Sequence, residues 1–80
     1  MVTANVYVTI KRNVLDVQGK AVKDALRSLG FSEVGEVRVG KFMELTLETD
    51  DRAAAEERVR QMCEKLLANT VIEDYRFELK

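Results

Sequence analysis

Side-chain polarity alternates residue by residue in three separate stretches of this chain. Between them lie two stretches whose apolar residues recur at helical spacing. Alternation puts successive side chains on opposite faces of a strand, and the helical period puts them on one stripe of a helix. Strands with one apolar and one polar face build antiparallel sheets with a single covered side. Amphipathic helices supply the cover. The pattern therefore predicts an α+β fold: an antiparallel β-sheet with two α-helices on one face.

In the first stretch, residues 4–11, Ala4, Val6, Val8 and Ile10 point one way and Asn5, Tyr7 and Thr9 the other. The second runs over residues 34–48. Val37, Val39, Met43, Leu45 and Leu47 share one parity there, and Glu36, Arg38, Glu44, Thr46 and Glu48 the other. Gly40-Lys41 interrupts it. A two-residue turn would make a hairpin, and a glycine bulge would make one long bent strand. The parity is kept in both cases, so periodicity leaves the choice open. The third stretch runs from Val71 to Leu79, with Val71, Tyr75, Phe77 and Leu79 on one face and Glu73 breaking the set. A hairpin at Gly40 would give the ferredoxin-like order βαββαβ.

The first helix begins at Asp16, whose carboxylate suits the N-cap. Val22, Ala25, Leu26 and Leu29 form its stripe, and Gly30 falls where a left-handed C-terminal residue belongs. Gly19 in the first turn weakens a helix, so it marks close backbone approach by something else. Thr49, Asp50 or Asp51 caps the second helix. Its stripe is Ala55, Val59, Met62, Cys63 and Leu66, and Asn69 is expected to stop it in a left-handed conformation.

Eighty residues suit one domain, 1–80, with a thin core, so self-association to a dimer or tetramer is expected. The 13 basic and 14 acidic residues are mixed along the chain. No basic run marks a nucleic-acid surface, and no apolar run is long enough for a membrane span. The start, MVTANVYVTIKRN, lacks the basic-then-apolar order of a signal peptide. One cysteine allows no internal disulfide, which fits a cytoplasmic protein. The absence of histidine removes the commonest metal ligand and the side chain best suited to acid–base work near neutrality.

Few residues invite chemistry. Cys63 lies on the helical stripe and reads as a small buried hydrophobe, since no histidine can activate it. Glu73 and Asp74 are adjacent in a strand, so they face opposite ways and form no carboxylate pair. Glu73 fits a wet sheet end, or an ion pair with a Lys or Arg across an interface. Gly40-Lys41-Phe42 faintly matches an RNA-recognition strand, but Glu44 follows and the aromatic platform is missing. Gln18-Gly19-Lys20 at a helix start could hold an anion, yet a single glycine is no phosphate loop. Tyr7, Phe42 and Ile72 would make an apolar patch if they cluster on the outer sheet face.

Three segments carry a family resemblance: YVTIKRNVLDVQGKAV (7–22), VRVGKFMEL (37–45) and CEKLLANTVIEDYRFEL (63–79). Together they resemble PurS, the small subunit of bacterial and archaeal phosphoribosylformylglycinamidine synthase. Val17 departs from the family's usual proline, which leaves the helix entry less rigid. The resemblance implies a non-catalytic, oligomeric subunit in de novo purine biosynthesis. It implies a synthetase partner of the PurL type, which uses ATP and Mg, and a glutaminase partner of the PurQ type. It also implies a bridging role between them that helps protect ammonia in transit. No catalytic residue and no cofactor are expected in this chain. On the same basis Asp16, Gln18, Gly19 and Lys20, with Asn69, Thr70 and Glu73, are the candidate partner contacts. The alternative from another class is a stand-alone dimeric ligand-binding or regulatory module.

Overall fold

The computed structural model runs from Met1 to Lys80. Its elements are β1 (Val2–Ile10), α1 (Val17–Ser28), β2 (Gly40–Leu47), α2 (Arg52–Met62) and β3 (Glu73–Leu79). A π-helical turn, Cys63–Leu67, prolongs α2. The most apolar strand, β1, takes the centre of the sheet. The order is β2-β1-β3, and both pairings are antiparallel. Val6 lies between Met43 and Phe77, which fixes the register and turns the apolar parity of all three strands to one side. The α+β class with an antiparallel sheet is as the alternation predicts.

No hairpin forms at Gly40. The glycine is the first residue of β2 and pairs with Thr9. A Cβ there would overlap the Val8 carbonyl oxygen, so glycine is required by close strand approach and not by a turn. Residues 34–39 stay outside the strand, and the chain has three strands, not the four of the ferredoxin-like order.

The core lies between the sheet and α2. Ala4, Val6 and Val8 meet Val59, Cys63 and Ala68, and Met43, Leu45, Tyr75 and Phe77 pack at its margin. Each fully buried valine contributes about 1.5–3 kcal/mol. Asp51 caps α2 by accepting the Ala54 N–H at 3.1 Å. The predicted stripe holds at Ala55, Val59 and Cys63 and then shifts. Ala68 N–H bonds to the Cys63 carbonyl five residues back, 3.0 Å away. That wide turn rotates Leu67 and Ala68 inward and Leu66 outward, where it is 83% exposed. The helix therefore stops without a left-handed Asn69, since no residue other than glycine has positive φ. Val71, expected in the last strand, sits in the turn before it and is exposed.

Only α2 covers the sheet within one chain. α1 buries nothing but Gly19, and Val22 and Leu29 of its apolar stripe are 42% and 74% exposed. The expected pair of helices on one face is thus half realised in the single chain. Its shape shows why: the molecule measures 49 × 24 × 14 Å with a radius of gyration of 16.1 Å. A compact chain of this length has about 12 Å. α1 ends in the predicted manner. Gly30 takes φ 103°, Phe31 N–H reaches the Leu26 carbonyl and Gly30 N–H that of Arg27, both at 3.1 Å. No helix is long and apolar enough to cross a membrane.

Candidate functional site

The candidate contact residues gather at one end of the sheet. β1 finishes there, and β2 and β3 both begin there. The first group sits at the entrance of α1. Asp16 is buried, and its two carboxylate oxygens do different work. Oδ1 accepts the Gly19 N–H at 2.8 Å and caps the helix. Oδ2 accepts the Val39 N–H at 2.7 Å, across twenty-three residues. These two N–H groups, Gly19 first, hold its carboxyl below the usual carboxylate range, with the Arg38 charge adding to them.

Gly19 fits only because it has no side chain. A Cβ there would overlap the Val37 carbonyl oxygen and lie 2.8 Å from Asp16 Oδ2. Arg38, which sequence reasoning missed, donates to the carbonyls of Ile10 and Lys11 at 2.7 and 2.8 Å. No local pattern announces it, because its partners lie twenty-seven and twenty-eight residues away. Asp16 and Arg38 together fasten the start of α1 to the sheet end. Lys20 is exposed and pairs with Asp24 at 3.0 Å, which lowers the Asp24 pKa. Gln18 is exposed.

A cleft of about 390 Å³ opens beside this fastening. Arg12, Lys20, Lys23 and Arg38 line it, against the carboxylates of Asp16 and Glu36. Asp16 already occupies the place an anion would take at the helix start. The anion-loop reading of Gln18-Gly19-Lys20 therefore has no free N–H cradle at Gly19.

The second group is the corner before β3. Glu73 is not at a wet strand end: its side chain is only 11% exposed. It accepts the Asn69 N–H at 2.7 Å and lies 3.4 Å from Lys41 Nζ across the sheet. Asn69 Oδ1 accepts the Val71 N–H at 3.2 Å, closing a small turn. Thr70 is exposed. The two groups communicate through β1, since Lys11 N–H bonds to the Ile72 carbonyl at 2.9 Å and Lys11 O accepts from Arg38.

Elsewhere the reactive side chains are occupied. Burial pushes the Cys63 thiol up, away from thiolate, and Glu64 adds to the effect. Tyr75 donates to Glu64 at 2.7 Å, and that bond raises its pKa. On the outer sheet face Tyr7 meets Phe42, ring centroids 5.2 Å apart. Ile72 precedes β3, and Arg76 instead completes the row, 3.9 Å above the Tyr7 ring. No three His, Cys, Asp or Glu side chains are grouped so that they could hold a metal ion.

Fold and site define a small α+β protein whose distinctive residues build junctions and surfaces and assemble no nucleophile with its base. Comparison with known proteins makes the class particular. The family model for PurS, phosphoribosylformylglycinamidine (FGAM) synthase, matches residues 3–80. The chain is 56% identical over 80 residues to phosphoribosylformylglycinamidine synthase subunit PurS of Bacillus subtilis, covering 100% of this chain and 94% of that protein. The solved B. subtilis PurS structure superposes with a TM-score of 0.91, covering 100% of this chain and 99% of that one. The PurLQS structure from Thermotoga maritima matches with a TM-score of 0.87 at 30% identity, over 100% of this chain and 99% of that one. The chain belongs to the PurS family.

Proposed function

We infer that this chain is a non-catalytic assembly subunit of phosphoribosylformylglycinamidine synthase in purine biosynthesis. The observation that carries this reading is the full-length 56% identity to a subunit of that enzyme. The structural relative in a PurLQS assembly supports a synthetase of the PurL type and a glutaminase of the PurQ type as partners. In this reading the 1–80 domain bridges the two and supports glutamine- and ATP-dependent conversion of formylglycinamide ribonucleotide to the formylglycinamidine. ATP and Mg act on the synthetase, ammonia passes between the larger subunits, and the setting is cytoplasmic. The chain's own part is positional: Asp16, Gln18, Gly19, Lys20, Asn69, Thr70 and Glu73 present one end of the sheet to a partner.

Self-association belongs to the same reading. Eleven of eighty residues are buried, and the stripe of α1 is left open. A second copy that covers α1 would complete the missing half of the helical layer, as a dimer or as the unit of a tetramer. The test of function is reconstitution. Glutamine-dependent synthesis by the two larger subunits is expected to require this chain, and the chain alone is expected to turn nothing over. Unchanged synthesis without it would refute the assignment. Tight binding of a nucleotide or amino acid by the isolated chain would favour a stand-alone regulatory module.

A further inference from the structure

We propose that the basic face of α1, together with the rim of the cleft beside it, is the docking surface for an acidic segment of one of the larger synthase subunits. This rests on the subunit reading above and names the chemistry of the contact.

Lys20, Lys23 and Arg27 recur at helical spacing, so they share one face of α1. Arg12 joins them at the cleft. Four cations line that cleft against two carboxylates, although the whole chain has a net charge of −1. Asp16 adds less negative field than its charge implies, because two backbone N–H groups absorb its carboxylate. Arg12, Lys20 and Lys23 are free to exchange partners, whereas Arg38 is held by the Ile10 and Lys11 carbonyls and Arg27 by the Val34 carbonyl at 3.0 Å. The Lys20–Asp24 pair is more than half exposed on both sides, and Arg12 lies 3.6 Å from Glu36 with its side chain 85% exposed. The Lys23 side chain makes no ion pair or hydrogen bond within the chain. Exposed pairs of this kind hold weakly, so a partner carboxylate displaces them at small cost.

The surface also carries apolar anchors. Leu15 and Val17 are 72% and 69% exposed at the entrance of α1, and Leu15 lines the cleft itself. Exposed apolar side chains ringed by cations form a protein-docking surface, with the charges setting orientation and encounter rate. A small phosphate ligand fits less well. The Gly19 N–H that would hold it is taken by Asp16. Lys20 and Arg27 lie opposite Val22 and Leu29 of the apolar stripe, and Lys23 flanks Leu26, so a second copy on the stripe leaves the Lys20 and Arg27 side open.

The test uses the full chain and the two purified larger subunits, with affinity measured by calorimetry over a series of salt concentrations. The unaltered chain is expected to bind at least one subunit, and more weakly as salt rises. The double variant Lys20→Glu, Lys23→Glu is expected to bind that subunit at least about tenfold more weakly. Its melting temperature should stay close to that of the unaltered chain, because both side chains are outside the core. Lys20→Arg, Lys23→Arg should bind like the unaltered chain. Equal affinity for the charge-reversed chain, or affinity independent of salt, would overturn the docking surface while leaving the subunit reading intact. Absence of binding by the unaltered chain to either subunit would overturn both. If inorganic phosphate raises the melting temperature of the unaltered chain alone, and subunit binding is indifferent to the substitutions, the surface is a small-anion site and the proposal fails.

Discussion

Asn69 and Glu73 hold each other twice. The Asn69 N–H donates to the Glu73 carboxylate at 2.7 Å, and the Glu73 N–H donates to the Asn69 carbonyl at 2.7 Å. This reciprocal pair closes the corner between the π-helical turn and β3. It also explains why a carboxylate occupies an inward position of an apolar strand face. Glu73→Ala leaves the exposed Asn69 N–H to water, and losing a hydrogen bond of this type costs about 0.5–1.5 kcal/mol. Glu73→Gln keeps an acceptor and should lose less. Urea titration followed by circular dichroism checks the order, and equal stability of Glu73→Ala and the unaltered chain would exclude a structural role for the pair.

Asp16 makes stability depend on pH in a defined direction. Its folded carboxyl titrates below its unfolded value, chiefly through the Gly19 and Val39 N–H groups. A depressed acid stabilises the fold above the unfolded carboxylate pKa of about 3.9. That contribution is lost as pH falls from there through the folded pKa. Asp16→Asn keeps an acceptor for the Gly19 N–H but turns an amide NH2 toward the Val39 N–H and removes the charge, so it should melt several degrees lower at neutral pH. The gap should narrow below about pH 4. Thermal scans from pH 7 to pH 2 test it; a gap that stays constant would assign the effect to another cause.

Gly19→Ala is expected to destabilise, against the helix-propensity trend. Alanine is better than glycine inside a helix by roughly 0.8–1.0 kcal/mol. At this position the added Cβ meets the Val37 carbonyl oxygen, which belongs to backbone held by the Val39–Asp16 bond. The clash should outweigh the gain, for a net loss of about 1–3 kcal/mol. A stabilised variant in a denaturant titration would show that residues 37–39 do not press on α1.

How much of this was legible in the sequence divides by range. Asp16, Gly30 and Asp51 act on backbone within five residues, and their types announced the helix ends. The strand faces were legible because parity is local. The π-helical turn was not. It depends on the Ala68-to-Cys63 bond, and a regular helix through Met62 and Leu66 matched the apolar pattern equally well. Gly40 read equally well as a turn or a bulge, because the Val8 carbonyl that demands it comes from another strand. The stand-off of α1 left no local mark either, since an amphipathic stripe reads the same whether its cover is the same chain or another. At the candidate site, the cap half of Asp16 was readable, and its hold on Val39 was not.

The shifted stripe of α2 separates two neighbouring leucines. Leu67 packs at the core margin, and Leu66 faces solvent. Leu67→Ala should cost about 2 kcal/mol in chemical unfolding, toward the low end for leucine truncation because the site is half buried. Leu66→Ala should change the folding of the single chain by less than about 0.5 kcal/mol. A regular helix would reverse the two. Cys63→Ser places a hydroxyl in the same buried site and should also destabilise, while the native thiol stays slow toward alkylating reagents until the chain unfolds.

The open stripe of α1 gives the sharpest test of assembly. Val22 and Leu29 are exposed in the single chain, so acidic substitutions there disturb no packing within it. In a dimer that covers the stripe, each buried side chain is worth about 1.5–3 kcal/mol. A symmetric dimer loses the pair of anchors from both copies, and since tenfold in affinity corresponds to about 1.4 kcal/mol, association weakens by at least roughly ten-thousandfold. The double variant Val22→Asp, Leu29→Asp should therefore be monomeric by light scattering at micromolar concentration, with its far-ultraviolet circular dichroism little changed. Substituting Phe42 on the opposite sheet face should leave the α1-mediated association in place. If the α1 variant stays oligomeric while the Phe42 variant dissociates, the sheet face and not the helix is where copies meet.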